Sequence, residues 1–349
     1  MKQMNVNSKY PCFVVLGVFA LGLVYFVLSD GIQYNTIHTP SPLSDIQEDW
    51  NIMNDSDVLR AAIIDIHNTN YKVKEDDVCV KTLPDCIIIG VGKSGTRELI
   101  DFMSIHPNIV SKSNPYQIRG GLQPSNSDYS RVINQMPCKY SDQISTIKAD
   151  TYLQKSERPA EIFAMNPRVK LIAIVREPAS RLISDLTMLT DERKTKQKDK
   201  YISNSKDMKK RIEYLVNTPY KKLTLQVYKS IYDDGLERYM KVFNKDQILV
   251  IESNELKYTP VEVLKRVEQF LGIKSFFSNE YFVFNTLKGF YCIRKPYACT
   301  KTMHCYSSTR GHSKQMHVDK KDLESLKEYF RPRTERFFKI LGRRFDWLN

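Results

Sequence analysis

The strongest constraint on this chain lies at residues 83–107, LPDCIIIGVGKSGTRELIDFMSIHP. Cys86-Ile87-Ile88-Ile89 is a short apolar run rich in β-branched residues, the pattern of a strand buried on both faces. Gly90, Gly92 and Gly95 interrupt it. From Glu98 to Ser104 helical spacing returns, with Leu99, Ile100 and Met103 apolar. The unit is strand, glycine-rich turn, helix. Such a turn aims the free N–H groups of a helix start at whatever occupies it, and those groups favour an anion. Lys93 adds a mobile positive charge, and Ser94 and Thr96 add hydroxyl donors. This is the composition of a phosphate cradle. The plainer alternative is a tight βα turn with an exposed lysine.

Two common phosphate loops fit poorly. G-x-x-x-x-G-K-[ST] needs a glycine five residues before Gly92, and position 87 is Ile. G-x-G-x-x-G matches Gly90, Gly92 and Gly95, but a lysine sits inside the turn and no ribose-binding acid follows a clear second strand. GVGKSGTREL instead resembles the 5′-phosphosulfate loop of sulfotransferases that use PAPS, 3′-phosphoadenosine 5′-phosphosulfate. The continuation to His106-Pro107 resembles the heparan sulfate glucosamine 3-O-sulfotransferases in particular.

Later segments extend the resemblance over residues 83–349. Val169 to Val175, VKLIAIV, is a second buried-strand candidate, and it runs into Arg176-Glu177-Pro178-Ala179, where Pro178 suits the first turn of a helix. Strand, arginine and helix start again suggest an anion site, now with a bidentate donor. What the resemblance implies is specific. Lys93, Ser94, Gly95, Thr96 and Arg97 would grip the 5′-phosphosulfate, and Arg176 and Ser184 the 3′-phosphate. Lys148, in STIKADTY, would face acceptor and sulfate, with Arg97 also near the acceptor. Ser308, Thr309, Arg310, Gly311 and His312 stand where the family has a nucleotide-contacting KGR-x-H element, of which the Arg and His survive. KGFYC (Lys288 to Cys292) is similar to the opening of the family's disulfide loop, which implies a Cys292–Cys305 bond, with Cys299 a rival partner.

One departure bears on the chemistry. The family carries a Glu in a Glu-x-His-Phe-Phe-Asp stretch as the base that deprotonates the sugar hydroxyl. Ungapped spacing from His106-Pro107 and from Met136-Pro137 puts Pro115 at the Glu, Gln117 at the His and Gly120 at the Asp. NPYQIRGG holds no carboxylate, and Gly92 replaces an Arg within the cradle. Asp128 and Asp150 are other carboxylates that could accept the proton.

Outside the motifs, Pro11 to Leu28 is an uncharged apolar run at the short end for a membrane-spanning helix. It is long for the apolar region of a signal peptide, lacks a small-x-small cleavage site, and has Lys2 and Lys9 on its N-terminal side. This predicts a cytosolic tail at 1–10, a type II signal anchor at 11–28, a polar luminal stem at 29–78 and a sulfotransferase domain at 79–349, in the Golgi membrane. Asn54-Asp55-Ser56 is a glycosylation sequon, usable only in the lumen. The charge of +13 and pI near 9.2 favour a polyanion. No RNP, zinc-finger or basic-zipper pattern supports nucleic acid. Residues 193–222 hold eleven Lys/Arg against three acids, either a solvated face or a landing strip for a sulfated polymer.

Strand candidates at 86–89, 169–175 and 247–251 alternate with helical spacing at 159–165, 228–243, 261–271 and 321–345. That order predicts an α/β fold, a parallel sheet flanked by helices, of the P-loop-like sulfotransferase kind the resemblance implies. Three functions compete. One is sulfuryl transfer from PAPS to a glucosamine hydroxyl of heparan sulfate or a related glycan. The second is a catalytically weak or inactive PAPS- and glycan-binding protein of the same fold, because of Pro115. The third, another nucleotide-phosphate enzyme such as a kinase, is disfavoured by the failed G-x-x-x-x-G-K-[ST] pattern and the lack of an acidic Mg²⁺-binding pattern. No metal is expected.

Overall fold

A computed structural model describes residues 27–28, 31–32, 55–75, 77–111, 129–195, 205–218, 225–295, 303–305 and 318–348. Contacts divide the chain into a larger unit, 63–277 with 308–349, and a smaller one, 1–62 with 278–307.

The larger unit is built on a fully parallel sheet. In chain order its strands are Cys86–Gly90, Ile109–Ser111, Ile144–Lys148, Lys170–Val175 and Ile248–Glu252, here β1 to β5. They lie side by side as β2-β3-β1-β4-β5. Central β1 is buried at every residue, which explains its unbroken apolar run. From β1 the chain winds one way, out to β2 and back to β3. It then winds the other way through β4 to β5. In open α/β sheets, ligands settle at the carboxyl ends of strands beside such a reversal.

Helices cover the sheet. Thr96–Met103 (α1) follows the glycine turn, Pro178–Thr195 (α2) follows β4, and Lys320–Leu341 (α3) closes the chain. Phe337 and Phe338 of α3 join Trp347, Tyr232 and strand residues Ile87, Leu171 and Val250 in one core. Arg336 on α3 bonds Asp233, Asp234 and Glu237 of helix Asp233–Met240, fixing α3 to the layer beneath.

Sequence expectations needed amending in three places. The stretch from His106 to Pro137, which holds no strand or helix candidate by pattern, contains the edge strand Ile109–Ser111 and the helix Ser130–Gln135. The helical spacing at 228–243 is broken, since helix Leu225–Tyr228 ends before Asp233–Met240 begins. The expected stem contains helix Asp55–Asn70, whose Ile66 is fully buried, and beyond it Tyr71 donates to Asp142 at 2.9 Å. A disulfide, Cys79–Cys138, was not foreseen and ties the paired strands Val80–Lys81 and Cys138–Lys139.

In the smaller unit, Phe282–Asn285, Phe290–Arg294 and Met303–His304 form an antiparallel sheet spanned by the Cys292–Cys305 disulfide. Cys299 lies outside the described residues. Val27–Leu28 pairs with Gly31–Ile32. Among the described residues no helix is long and apolar enough to cross a membrane. Most of the 11–28 run lies outside them.

Candidate active site

The turn after β1 is held from several sides. Val91 N donates to Ile174 O at 2.8 Å, and Gly92 N to Asp150 O at 3.0 Å, so the turn is pinned to β4 and to the residues just past β3. Gly95 adopts φ 97°, a conformation glycine takes without penalty. Lys93 adopts φ 75°, in the left-handed region that non-glycine residues rarely occupy. Such strain persists where the surroundings over-determine it, and functional sites are where it collects. The N–H groups of Lys93, Gly95 and Thr96 donate to no backbone carbonyl among the described residues. They belong to the helix start, where N–H groups have no partner within the helix.

Three side chains here lack the partners such groups normally have. Ser94 is fully buried, yet its hydroxyl makes no hydrogen bond among the described residues. A buried polar atom left unpaired is unfavourable unless a ligand completes it. Lys93 is half-buried, and among the described residues its Nζ finds only the Met188 sulfur, at 3.5 Å. Arg176, directly after β4, is also half-buried, and its guanidinium has no carboxylate within pairing distance among the described residues. Burial pushes the Lys93 ammonium below the usual lysine value; Asp185 and Glu98 oppose that, while Arg176 and Arg181 reinforce it. Burial likewise lowers Arg176, against Tyr232, Glu177 and Glu252. Two under-compensated cations beside free N–H groups are the electrostatics of an anion site.

Lys148, the last residue of β3, is buried and bonds Asp150 Oδ2 at 3.3 Å. Adjacent strand ends thus bring Lys93, Lys148 and Arg176 to one edge of the sheet. Thr96 and Arg97 open α1, where Arg97 pairs with Asp101 at 3.7 Å. Ser184 is half-buried on α2.

One expectation is corrected. The start of α2 does not offer free N–H groups to an anion, because the Glu177 carboxylate accepts from Ala179 N at 2.8 Å and Ser180 N at 2.7 Å. What the segment after β4 can offer an anion is the Arg176 side chain. Ser308, Thr309, Arg310, Gly311, His312, Asn54, Pro115, Gln117, Gly120 and Asp128 lie outside the described residues.

Arg181 escaped the sequence reading. It is fully buried on α2 and donates to Gly92 O at 3.1 Å, Ser230 Oγ at 2.7 Å, Gln226 O at 2.6 Å and Asp185 Oδ2 at 3.1 Å. It clamps the cradle's backbone from beneath. The available signal was Arg181 and Asp185 one helical turn apart, a spacing that lets opposite charges pair on one face of a helix.

A family model described as "Sulfotransferase domain" matches residues 83–345. Heparan sulfate glucosamine 3-O-sulfotransferase 5 of Homo sapiens is 34% identical over 271 residues, covering 77% of this chain and 75% of that protein. Heparan sulfate glucosamine 3-O-sulfotransferase 3B1 of Homo sapiens is 32% identical over 273 residues, covering 76% of this chain and 65% of that protein. Among solved structures, a sulfotransferase from Alicyclobacillus acidocaldarius aligns with a TM-score of 0.52 at 18% identity, covering 77% of this chain and 100% of that one, a likeness of fold.

Proposed function

The chain belongs to the sulfotransferase domain family and, within it, to the heparan sulfate glucosamine 3-O-sulfotransferases, and from that premise we propose that it sulfates a glucosamine hydroxyl of heparan sulfate or a related glycan. The sulfate donor is PAPS, which supplies an activated sulfuryl group on a phosphate leaving group. The carrying observation is the pair of half-buried cations, Lys93 and Arg176, with no ion-pair partner among the described residues, beside the orphaned Ser94 hydroxyl. A donor with anionic groups at both its 5′ and 3′ positions fits that set.

In this reading Lys93, Ser94, Gly95, Thr96 and Arg97 hold the phosphosulfate end, and Arg176 with Ser184 holds the 3′-phosphate. Ser308, Thr309, Arg310, Gly311 and His312 complete the nucleotide site. Lys93 neutralises charge growing on the leaving oxygen, and Lys148 charge on the sulfuryl oxygens. Arg181 holds the Gly92 carbonyl so that the N–H groups of the turn stay pre-aimed. Lys148 and Arg97 meet the acceptor.

The apolar run at 11–28 is read as a type II anchor, with 29–78 as the luminal stem of a catalytic domain in the Golgi and Asn54 open to glycosylation. The Cys79–Cys138 and Cys292–Cys305 disulfides support an oxidising compartment.

The test is radiolabelled sulfate transfer from PAPS to heparan sulfate, with wild type beside Pro115→Glu, and adenosine 3′,5′-bisphosphate binding measured by calorimetry on both. Transfer by wild type is expected. Nucleotide binding without transfer would make the protein a binding member of its fold; no nucleotide binding would end the sulfotransferase reading.

A further inference from the structure

Sulfuryl transfer to a hydroxyl needs a proton acceptor, and position 115 is a proline. We propose that Asp150 is that acceptor, an inference that rests on the sulfotransferase reading above. Its backbone is part of the cradle, since Asp150 O receives the Gly92 N–H at 3.0 Å. Its carboxylate is oriented by one oxygen only. Oδ2 takes the Lys148 Nζ bond at 3.3 Å, and Oδ1 has no partner among the described residues. The Asp150 side chain is 34% exposed whereas that of Lys148 is 9% exposed. The lysine is thus sunk deeper than the carboxylate, which keeps the greater share of its surface open to the solvent from which a sugar must arrive.

Gly92 keeps this path open. A Cβ at Gly92 would sit 3.7 Å from Asp150 Oδ2, so any longer side chain there would compete for the space between turn and carboxylate. Among the described residues, the other nearby carboxylates are occupied or set apart from the turn's open side. Asp185 is buried against Arg181, Glu177 caps α2, and Glu252 accepts from Asn254 N, Glu255 N and Trp347 Nε1. Glu98 lies on the helix side of the turn, 3.8 Å from where a Gly95 Cβ would be.

In the step, the acceptor O–H bond breaks and its proton passes to Asp150 Oδ1. The freed oxygen pair forms the new O–S bond. The S–O bond to the 5′-phosphate breaks, and its electron pair leaves with adenosine 3′,5′-bisphosphate. Asp150 then returns the proton to water. Nothing is oxidised or reduced.

The experiment uses the full-length protein, with Asp150→Asn, Asp150→Glu and Glu98→Gln beside wild type. Three quantities are read: sulfate transfer from PAPS to heparan sulfate, the pH dependence of kcat, and affinity for adenosine 3′,5′-bisphosphate. Asp150→Asn is expected to lower kcat by about 10²–10⁴-fold, to lose the acid limb of the pH profile, and to leave nucleotide affinity unchanged. Asp150→Glu, which keeps a carboxylate, should recover part of the rate. The proposal is overturned by wild-type kcat in Asp150→Asn. It is equally overturned by a loss confined to Glu98→Gln, or by a wild type that binds nucleotide and transfers nothing. Parallel loss of nucleotide binding in Asp150→Asn would make Asp150 a positioning residue of the turn and overturn the base role. Failure of wild type to bind nucleotide would instead sink the underlying sulfotransferase reading.

Discussion

Lys93 is where backbone, charge and proposed function meet. Holding a non-glycine residue at φ 75° costs about 1–3 kcal/mol, and the return is an ammonium held in a half-buried turn. Because burial lowers its pKa, the neutral amine is reached at lower pH than for a free lysine. An anion binds the charged form. Affinity for adenosine 3′,5′-bisphosphate is therefore full below the lowered Lys93 pKa and falls as pH rises through it, before the usual lysine value of about 10.4. Calorimetry between about pH 7 and about pH 10 should show that early decline. Lys93→Ala should flatten it and weaken binding by about 1.5–3 kcal/mol, the range for a charged hydrogen bond. A wild-type curve identical in shape to that of the alanine variant would detach Lys93 from the phosphate.

At the scale of elements, the link from α1 to β2 is anchored by His106. The ring is fully buried, with Nδ1 accepting from Asn108 N at 3.0 Å and Nε2 donating to Lys274 O at 2.9 Å. That arrangement uses the neutral ring, since a proton on Nδ1 would break the bond to Asn108. Burial lowers the His106 pKa in spite of Glu268, whose carboxylate also accepts from Phe276 N and Phe277 N. The sign follows from linkage. The unfolded chain binds a proton at this ring below about pH 6.5 while the folded chain resists it, so stability falls as pH drops through that value. The slope from this group is at most about 1.4 kcal/mol per pH unit. Urea unfolding at about pH 7.5 and about pH 5.5 should show a larger acid loss in wild type than in His106→Gln. Equal losses would mean that other groups carry the acid sensitivity.

At the scale of the whole molecule, a charge of +13 gives a surface suited to a polyanionic glycan. Part of the basic stretch is now located. Lys209 and Lys210 are exposed on helix Ser205–Val216, whose Met208, Ile212 and Leu215 are buried. The helix therefore turns its lysines outward from a firmly seated apolar face. Lys209→Glu with Lys210→Glu should elute earlier from heparin in a salt gradient, with the slope of log affinity against log salt reduced by about 1 per lost contact. Unshifted elution would make these lysines ordinary solvated surface.

Legibility in the sequence followed the range of the interactions. The β1 run, the glycine turn, the start of α1, and β4 followed by Arg176 could be read directly. Each is set by residues within a dozen positions of one another: β-branched runs, bare glycines, a proline at a helix start. Ile144–Lys148 was harder, because ISTIK holds only two apolar residues among three polar ones and becomes a buried strand only when β1 and β2 cover its edges. The Glu177 cap hid behind a pattern that two outcomes share, since an acid before a helix can either fill its N-terminus or leave it open. Residues alone pointed to the strand, the glycine turn and the arginine after β4, and so to the proposed anion chemistry. Only the folded sheet decided that Lys93, Lys148, Asp150 and Arg176 share one edge and that Arg181, far along the chain, grips Gly92. Parallel strands place neighbours in space that are distant in sequence, and no local pattern encodes which distant partner a buried charge will find.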